Sequence, residues 1–227
     1  MSQLTLWVLR HGETQLNHEG KLRGWLDVPL DEHGIGEAQQ DADFFRDISI
    51  DRLYTSDLQR AVRTAQIIGE AVDQIPNPLV NLRPLNWGAL NGKDVKESEK
   101  ITDPWFKKWE THPELMVENG ESWDGFQNRV LRGVKTIVED SQPGNSVILV
   151  THLRVCILIR SWMLNGSKPL EGKAIQNMLR PELHQKPDEI AKYELDLKTS
   201  NLSLVKFFKV ISKVGDYFSS GTERAVS

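Results

Sequence analysis

The chain has 227 residues and a net charge of −4 at neutral pH. This length suits one α/β domain with a large core, and the mildly acidic charge gives no electrostatic case for binding nucleic acid or a membrane surface. Cys156 is the only cysteine, which excludes an intramolecular disulfide, and its apolar surroundings predict a buried thiol. Because no stretch resembles a signal peptide or a membrane span, we expect a cytoplasmic protein.

The first predicted strand, residues 4–9, is an apolar run that leads directly into Arg10 and His11. In an open α/β sheet, residues that follow the carboxyl end of a buried strand are delivered to the ligand crevice. An arginine fork matches a phosphate or a carboxylate, and an imidazole acts as a nucleophile or as a proton carrier. The pair indicates phosphoryl chemistry, with a chance Arg-His pair in a loop as the alternative for this short motif alone.

A second cationic side chain follows the next strand. Apolar spacing predicts a helix over 34–45 and then a short strand at 52–55. Ser56 and Gln59 have the spacing of a capping box, which predicts a helix start at this point. Arg60 then lies in the first helical turn, where backbone N–H groups and the helix dipole favour an anion. The alternative for Arg60 is an exposed arginine paired with a carboxylate.

The middle of the chain contains a further strand that ends in a histidine. A short strand is predicted at 79–82, and the charged segment 94–119 is expected to form a short lid helix. An amphipathic helix is predicted after Ser122. The apolar run at 146–151 predicts a buried strand that delivers His152 to the same edge as His11. A core or capping histidine is the alternative for His152 alone, but the repeated placement favours a site.

The last third of the chain is less informative. Arg154 begins the helix after the second histidine and either adds charge at the pocket rim or faces solvent as an ordinary surface arginine. Residues 166–198 form an insertion, with a short helix predicted at 188–195, for which a pocket rim or a homodimer contact are the alternatives. The alternation at 201–209 is typical of an antiparallel or edge strand, and 211–227 are expected to form a loose tail.

The order of these elements predicts an α/β fold. We expect a single three-layer domain over residues 1–210, with a mostly parallel central sheet and helices on both faces. Separated motifs along the chain resemble the histidine phosphatase superfamily, in its phosphoglycerate-mutase-like group. Several motifs at compatible spacings are more specific than any one of them. The matching residues are Arg10-His11-Gly12-Glu13-Thr14, Asn17, Gly24 with Asp27-Val28-Pro29-Leu30, Gly34, Ser56-Asp57-Leu58-Gln59-Arg60-Ala61 with Thr64-Ala65, Gly120-Glu121-Ser122 and Val150-Thr151-His152.

The resemblance implies a metal-independent phosphomonoester hydrolase. By this analogy His11 attacks the phosphorus to form a phosphohistidine, and Arg10, Arg60 and His152 hold the phosphoryl oxygens. A nucleophilic His11 must be neutral, whereas a protonated His152 best serves an anion, so we expect opposite protonation states for the two rings. No cofactor and no metal are expected. The small phosphorylated substrate is expected to contact Glu13, Thr14, Asn17, Arg23, Gly24 and Arg154.

One position departs from the family pattern. The segment that begins at Arg83 resembles a stretch that usually carries a glutamate, the general acid, where this chain has Pro84. Proline cannot donate a proton. Glu121 is our first choice as a replacement, with capping of the following helix as its alternative, and Glu13 is the second. A substrate with a good leaving group would need no acid at all.

The length of the lid segment bears on the type of reaction. The resemblance implies that mutases carry a longer insertion in place of 94–119, which shields the phosphoenzyme from water. The short segment here therefore favours hydrolysis. A phosphoglycerate-type mutase is one alternative. The other is a catalytically weak phosphate-binding or regulatory protein, for which Pro84 is the motive.

Overall fold

The computed structural model describes residues 3–166, 168–177, 189–197, 203–211 and 224–225. Most of the predicted tail and the centre of the 166–198 insertion lie outside the described residues. The helices are α1 (Gln15–His18), α2 (Glu32–Phe45), α3 (Gln59–Val72), α4 (Val95–Trp109), α5 (Trp123–Glu139), α6 (Leu153–Leu164) and α7 (Lys173–Asn177). The strands are β1 (Gln3–Arg10), β2 (Arg52–Ser56), β3 (Asn77–Leu79), β4 (Ser146–Thr151), β5 (Glu189–Asp196), β6 (Ser203–Ile211) and β7 (Arg224–Ala225).

The described strands form one mixed sheet in the order β3-β2-β4-β1-β5-β6-β7. The half that contains β3, β2, β4 and β1 is parallel, and β5, β6 and β7 add to β1 in antiparallel pairs. Arg10 at the end of β1 lies opposite Thr151 at the end of β4. The carboxyl ends of the two central strands therefore lie side by side, which is where ligands bind in open α/β sheets.

Helices cover both faces of the parallel half, which confirms the predicted α/β class. Strand residues alternate between the faces because successive side chains point to opposite sides of a strand. On one face Leu9, Leu53 and Val150 pack against α2 and α3, and on the other Val8, Tyr54, Val147 and Leu149 pack against α5 and α6. Each large apolar side chain buried in these layers contributes roughly 1.5–3 kcal/mol to stability.

Two remaining sequence expectations concern Cys156 and the helices. The Cys156 side chain is buried in α6, as predicted, and burial raises the pKa of its thiol to about 12. A thiol in that state is not a reactive thiolate.

In the part of the chain that the structure describes, no helix has both the length and the apolar character needed to cross a membrane.

The helix predicted at 188–195 is wrong, because β5 occupies this position. Ala191, Tyr193 and Leu195 are buried and alternate with partly exposed charged residues, which is the period of a strand. The charges gave the segment local helix character. Pairing with residues 3–9 of β1 overrides that propensity.

Two other boundaries differ from the prediction. The strand expected at 79–82 ends at Leu79, and Val80–Leu82 is a 3-10 turn. The strand expected at 201–209 is β6, and its predicted antiparallel pairing is confirmed. It is not an edge strand, because Arg224–Ala225 of the predicted tail pair with its other side.

Candidate active site

The ends of β1 and β4 bring the two predicted histidines together. The backbone N–H of His11 donates to the carbonyl of Thr151 at 2.9 Å, which extends the pairing of these strands by one bond. His152 follows Thr151 and is the N-cap residue of α6. The two imidazole rings are 5.0 Å apart between centroids and are tilted by 64°. Two strand ends that are far apart in the sequence therefore meet in one site, as the sequence predicts.

The hydrogen bonds of His11 fix its tautomer. Nδ1 lies 2.6 Å from the carbonyl oxygen of Gly12, which can only accept, so Nδ1 carries the proton. Nε2 accepts a hydrogen bond from Nε of Arg60 at 3.2 Å and therefore has a lone pair. Burial, together with the charge of Arg60, holds the pKa of His11 well below its usual value. The ring is thus neutral, with Nε2 as its nucleophilic atom.

His152 differs from our expectation of a protonated ring. Burial lowers its pKa well below the usual value, and the charges of Arg60 and Arg23 lower it further. Both histidines are therefore neutral in this structure, because the surrounding arginines oppose another positive charge. Neither ring nitrogen of His152 has a hydrogen-bond partner, although the side chain is buried. Buried polar atoms without partners are rare and are typical of ligand sites.

Arg60 lies in the first turn of α3, as predicted, but its helix begins differently. β2 extends through Ser56, and Leu58 is the N-cap residue, so the predicted Ser56 capping box is wrong. The Arg60 side chain is 1% exposed, which excludes the surface alternative. Its Nη1 donates to the carbonyl of Leu26 at 2.7 Å, and its Nη2 donates to that of Gly24 at 3.0 Å.

Gly24, whose carbonyl accepts from Arg60, lies at a position with no room for a side chain. Gly24 has a φ of +44°, and a Cβ atom there would lie 1.9 Å from Oδ1 of Asn91. Only glycine suits this conformation and this contact, so Gly24 contributes through its carbonyl.

Thr64 supports the same region, because its hydroxyl accepts from the Gly12 N–H at 3.1 Å and donates to the Arg60 carbonyl at 2.9 Å. Thr64 was not among the predicted site residues, although it lies one turn after Arg60 on the same helix face.

Three arginines converge on the histidines. Burial and repulsion by neighbouring arginines lower the pKa of Arg23 to about 9, and burial lowers that of Arg60 to about 10. Burial also lowers the pKa of Arg10. Nε of Arg10 and Nη1 of Arg23 are buried without a hydrogen-bond partner. These guanidinium donors have no partner to give up, so they can bind an anion directly.

The other predicted contacts take structural positions around this cluster. Oδ1 of Asn17 accepts from both the N–H and the hydroxyl of Thr14, at 2.9 Å each, so these two residues fix the start of α1. The Glu13 N–H donates to Oε2 of Glu37 at 2.7 Å, and burial raises the pKa of Glu37. Arg154 lies over the ring of Phe106 at 4.9 Å, so it joins α6 to α4.

Glu121 and Arg129 form a bidentate ion pair. Nε and Nη2 of Arg129 donate to the two carboxylate oxygens of Glu121 at 2.8 and 2.7 Å. Their side chains are only 11% and 15% exposed. Since both oxygens of Glu121 accept from Arg129, the geometry does not favour the role of proton donor that we expected for Glu121. Arg129 was missed in the sequence because it lies on an otherwise amphipathic helix without a local motif.

The same ion pair holds the segment that contains Pro84. Nη1 of Arg129 donates to the carbonyls of Asn81 and Arg83, and Nη2 donates to the carbonyl of Pro84 at 3.2 Å. Nε1 of Trp25 also donates to the Pro84 carbonyl, at 2.8 Å. This segment adjoins the end of β4, because the Thr151 hydroxyl donates to the Leu82 carbonyl. Pro84 therefore lies beside the strand end that carries the second histidine.

The segment 94–119 contains the expected helix, α4, which packs on the core. Trp109 is fully buried, and its ring stacks on Trp87 at 6.0 Å. Trp105 lies 6.1 Å from Trp109 and one helical turn before it, so the two side chains form an apolar stripe along α4. Phe106, on the same helix, contacts the side chain of Arg154. One helix thus borders the site through an aromatic cluster.

Comparison with known proteins agrees with this geometry. The family model of the histidine phosphatase superfamily (branch 1) matches residues 6–180. A probable phosphoglycerate mutase GpmB of Cronobacter sakazakii is 33% identical over 152 residues, which cover 66% of this chain and 69% of that protein. An adenosylcobalamin/alpha-ribazole phosphatase of Salmonella typhi is 30% identical over 165 residues, which cover 71% of this chain and 80% of that protein.

Solved structures extend the similarity to the fold. The crystal structure of the alpha-ribazole phosphatase from Shigella flexneri aligns with a TM-score of 0.69 at 22% sequence identity. The alignment covers 88% of this chain and 94% of that chain. At this identity the comparison shows the fold alone.

Proposed function

The chain belongs to the histidine phosphatase superfamily, and from this premise we propose that it is a metal-independent phosphatase that acts through a phosphohistidine on His11. The observation that carries the proposal is the neutral His11 ring, whose Nε2 lone pair faces the guanidinium of Arg60. A nucleophile beside a fixed positive charge is the arrangement that phosphoryl transfer needs.

The first step transfers a terminal phosphoryl group to the enzyme. Nε2 of His11 forms a bond to the phosphorus while the bond from the phosphorus to the leaving-group oxygen breaks, with its electron pair staying on that oxygen. Arg60 shifts its Nε–H from Nε2 to a phosphoryl oxygen. Arg10 and His152 supply the unpaired donors for the other oxygens. Guanidinium groups provide the positive charge that stabilises the transition state, at the end of a helix whose dipole acts in the same sense.

The second step returns the enzyme to its starting state. Water attacks the phosphohistidine, and the N–P bond breaks with its electron pair returning to Nε2. The bordering segment is a single helix, α4, which supports access of water to the intermediate. The name of the Salmonella relative also supports a phosphatase.

A phosphoglycerate-type mutase is the second candidate, since the Cronobacter relative is named a probable mutase. The two reactions differ in the fate of the phosphoryl group on His11. A mutase transfers the phosphoryl group from His11 back to the substrate at a second position. Its turnover therefore depends on a bisphosphorylated primer. We expect phosphate release without any primer, and a primer requirement with no release would favour the mutase.

The test of the proposed function is phosphate release from an aryl phosphate in the presence of a chelator. The native protein is compared with His11→Ala and with His112→Ala, which alters an exposed histidine beside Glu114. We expect a loss of at least about a thousandfold in His11→Ala and no change in the control. Equal release by the native protein and His11→Ala would overturn the proposal.

A further inference from the structure

We propose that the preferred substrate is a phosphoric anhydride, in which the leaving group is itself a phosphate, and not an alkyl phosphate ester. This inference rests on the phosphohistidine mechanism proposed above. It combines two observations: the nucleophile has no acidic neighbour that could protonate a leaving alkoxide, and the site has more arginine donors than one phosphoryl group requires.

The first observation concerns the charges around the reacting atoms. An alkoxide is strongly basic and needs a proton as it departs, whereas a phosphate departs as a stable anion. The charged groups that act on His11 are Arg60, Arg10 and Arg23, together with the second histidine. The charges that act on His152 are also all arginines. Among the described residues, no carboxyl group forms a hydrogen bond with either ring.

Glu13 and Glu37 are the carboxylates that act on Arg10, and both have other partners. Oε2 of Glu13 lies 3.3 Å from Nε2 of His18 and 3.6 Å from Nδ1 of His33, so these two histidines hold it. Glu37 binds the Glu13 backbone through Oε2. Both carboxylates act on Arg10 as counter-charges, and neither makes a hydrogen bond with the ring of His11 or of His152.

The leaving-group side also lacks a donor with a free proton. Pro84 has no N–H and no acidic group, and its carbonyl already accepts from Trp25 and Arg129. Glu121 is engaged at both oxygens by Arg129. A substrate that fits this site must therefore have a leaving group that departs without taking up a proton.

The excess of positive charge identifies the leaving group further. Arg10, Arg60 and His152 suffice for the three oxygens of the transferred phosphoryl group. Arg23 remains, with Nη1 buried and without a partner. A buried guanidinium donor in that state favours a second anion, which it stabilises through charge-assisted hydrogen bonds. An anionic phosphate leaving group meets both conditions at once.

The reaction balances without a metal, an oxidant or a co-reactant other than water. Nε2 of His11 forms a bond to the terminal phosphorus, and the bond from that phosphorus to the bridging oxygen breaks. Its electron pair stays on the bridging oxygen, which departs as phosphate beside Arg23. Water then attacks the phosphohistidine, and the electrons of the N–P bond return to Nε2. One water proton remains on the product phosphate, and the other passes to solvent.

The test compares three probes with chelator present: an aryl phosphate, inorganic pyrophosphate and glycerol 2-phosphate. We expect the native protein to favour pyrophosphate over glycerol 2-phosphate by at least about a hundredfold in kcat/KM. Pro84→Glu restores an acid at the leaving-group side, so it is expected to raise kcat/KM for glycerol 2-phosphate at least about tenfold, with little gain for pyrophosphate. Equal turnover of pyrophosphate and glycerol 2-phosphate by the native protein would overturn the inference.

A second variant keeps the test independent of the folding of Pro84→Glu. Arg23→Gln is expected to lower kcat/KM for pyrophosphate at least about ten times more than for the aryl phosphate. Arg63→Gln, on the exposed side of the same helix as Arg60, is the matched control and is expected to change neither value. An equal loss for both probes in Arg23→Gln would contradict the inference. The aryl phosphate reports the proposed function separately, because its release depends on His11 and needs no acid.

Discussion

The two sides of the pocket are built in opposite ways. On the phosphoryl side, donors of Arg10 and His152 are buried and have no partners. Around Pro84, Arg129 uses its N–H groups on Glu121 and on three carbonyls, and Trp25 adds another bond to the Pro84 carbonyl. The phosphoryl side therefore keeps hydrogen-bond donors for a ligand, whereas the donors of Arg129 around Pro84 already have partners.

This difference indicates which groups bind a ligand and which groups stabilise the fold. A buried donor without a partner costs the folded protein about 1–3 kcal/mol, so a cluster of them indicates a site at which a ligand completes the bonding. A network in which every polar group has a partner carries little of this free-energy cost, and it stabilises a fixed loop. We therefore expect changes on the phosphoryl side to reduce turnover, and loss of the Glu121–Arg129 ion pair to reduce stability.

The largest effect is expected from Arg60→Gln on the phosphoryl side. Loss of its charge and of its bond to His11 removes both stabilisation of the transition state and orientation of the nucleophile. We expect kcat/KM for an aryl phosphate to fall about a hundredfold to a thousandfold, as for removal of one oxyanion donor. Steady-state kinetics beside the Arg63→Gln control measure this loss, and a fall of less than about threefold would deny Arg60 a catalytic role.

The opposite pattern is expected from Glu121→Gln. This change leaves a mostly buried Arg129 without its carboxylate, and the free energy of unfolding is expected to fall by about 3 kcal/mol. Turnover of the aryl phosphate is expected to stay within about tenfold, because the phosphoryl side is intact. Denaturant unfolding and kinetics on the same samples check both values. Unchanged stability with a hundredfold loss of turnover would instead make Glu121 a catalytic acid.

A smaller effect concerns stability in acid. The pKa values of His11 and His152 are lower in the folded protein than in the unfolded chain, which binds protons below about pH 6.5. The stability is therefore fully present above that pH and is lost as the pH falls, by about 1.4 kcal/mol per pH unit for each ring. Unfolding of His152→Gln at several pH values is expected to show a shallower fall, whereas His112→Gln keeps the native slope. Identical slopes in all three proteins would contradict the shifted pKa values.

The smallest effect is a proton taken up when phosphate binds. A bound dianion favours the charged form of His152, which is neutral in this structure. We expect the native protein to take up a fraction of one proton more than His152→Gln near neutral pH. Calorimetry of phosphate binding in two buffers of different ionisation enthalpy measures this difference. No difference between the proteins would mean that His152 stays neutral when it binds phosphate.

Local sequence signals were sufficient to predict where Arg10, Arg60 and His152 lie in the fold. Arg10 and His152 each follow a buried apolar run, and parallel strands bring such ends to one edge. Arg60 was placed in its helical turn even though Ser56 is not the cap, because the register of the helix was right. Strand ends and helix starts are local features, and one stretch of sequence is enough to predict them.

The parts that were missed depend on contacts between distant segments. β5 forms along β1 in spite of its local charge pattern, and no short window contains that pairing. Arg129 binds carbonyls 45 to 48 residues earlier in the chain, so its role is fixed by tertiary structure. The same holds for Glu121, whose turn resembles a pocket element but whose carboxylate belongs to the supporting network.

The most direct measurement is the chemical identification of the phosphoenzyme. The protein is mixed rapidly with an aryl phosphate, quenched in base to preserve phosphohistidine, and analysed by intact mass and by peptide mapping. The account predicts one phosphoryl group on Nε2 of His11 and none in His11→Gln. A phosphoryl group on another residue, or sustained turnover without any phosphoenzyme, would contradict it.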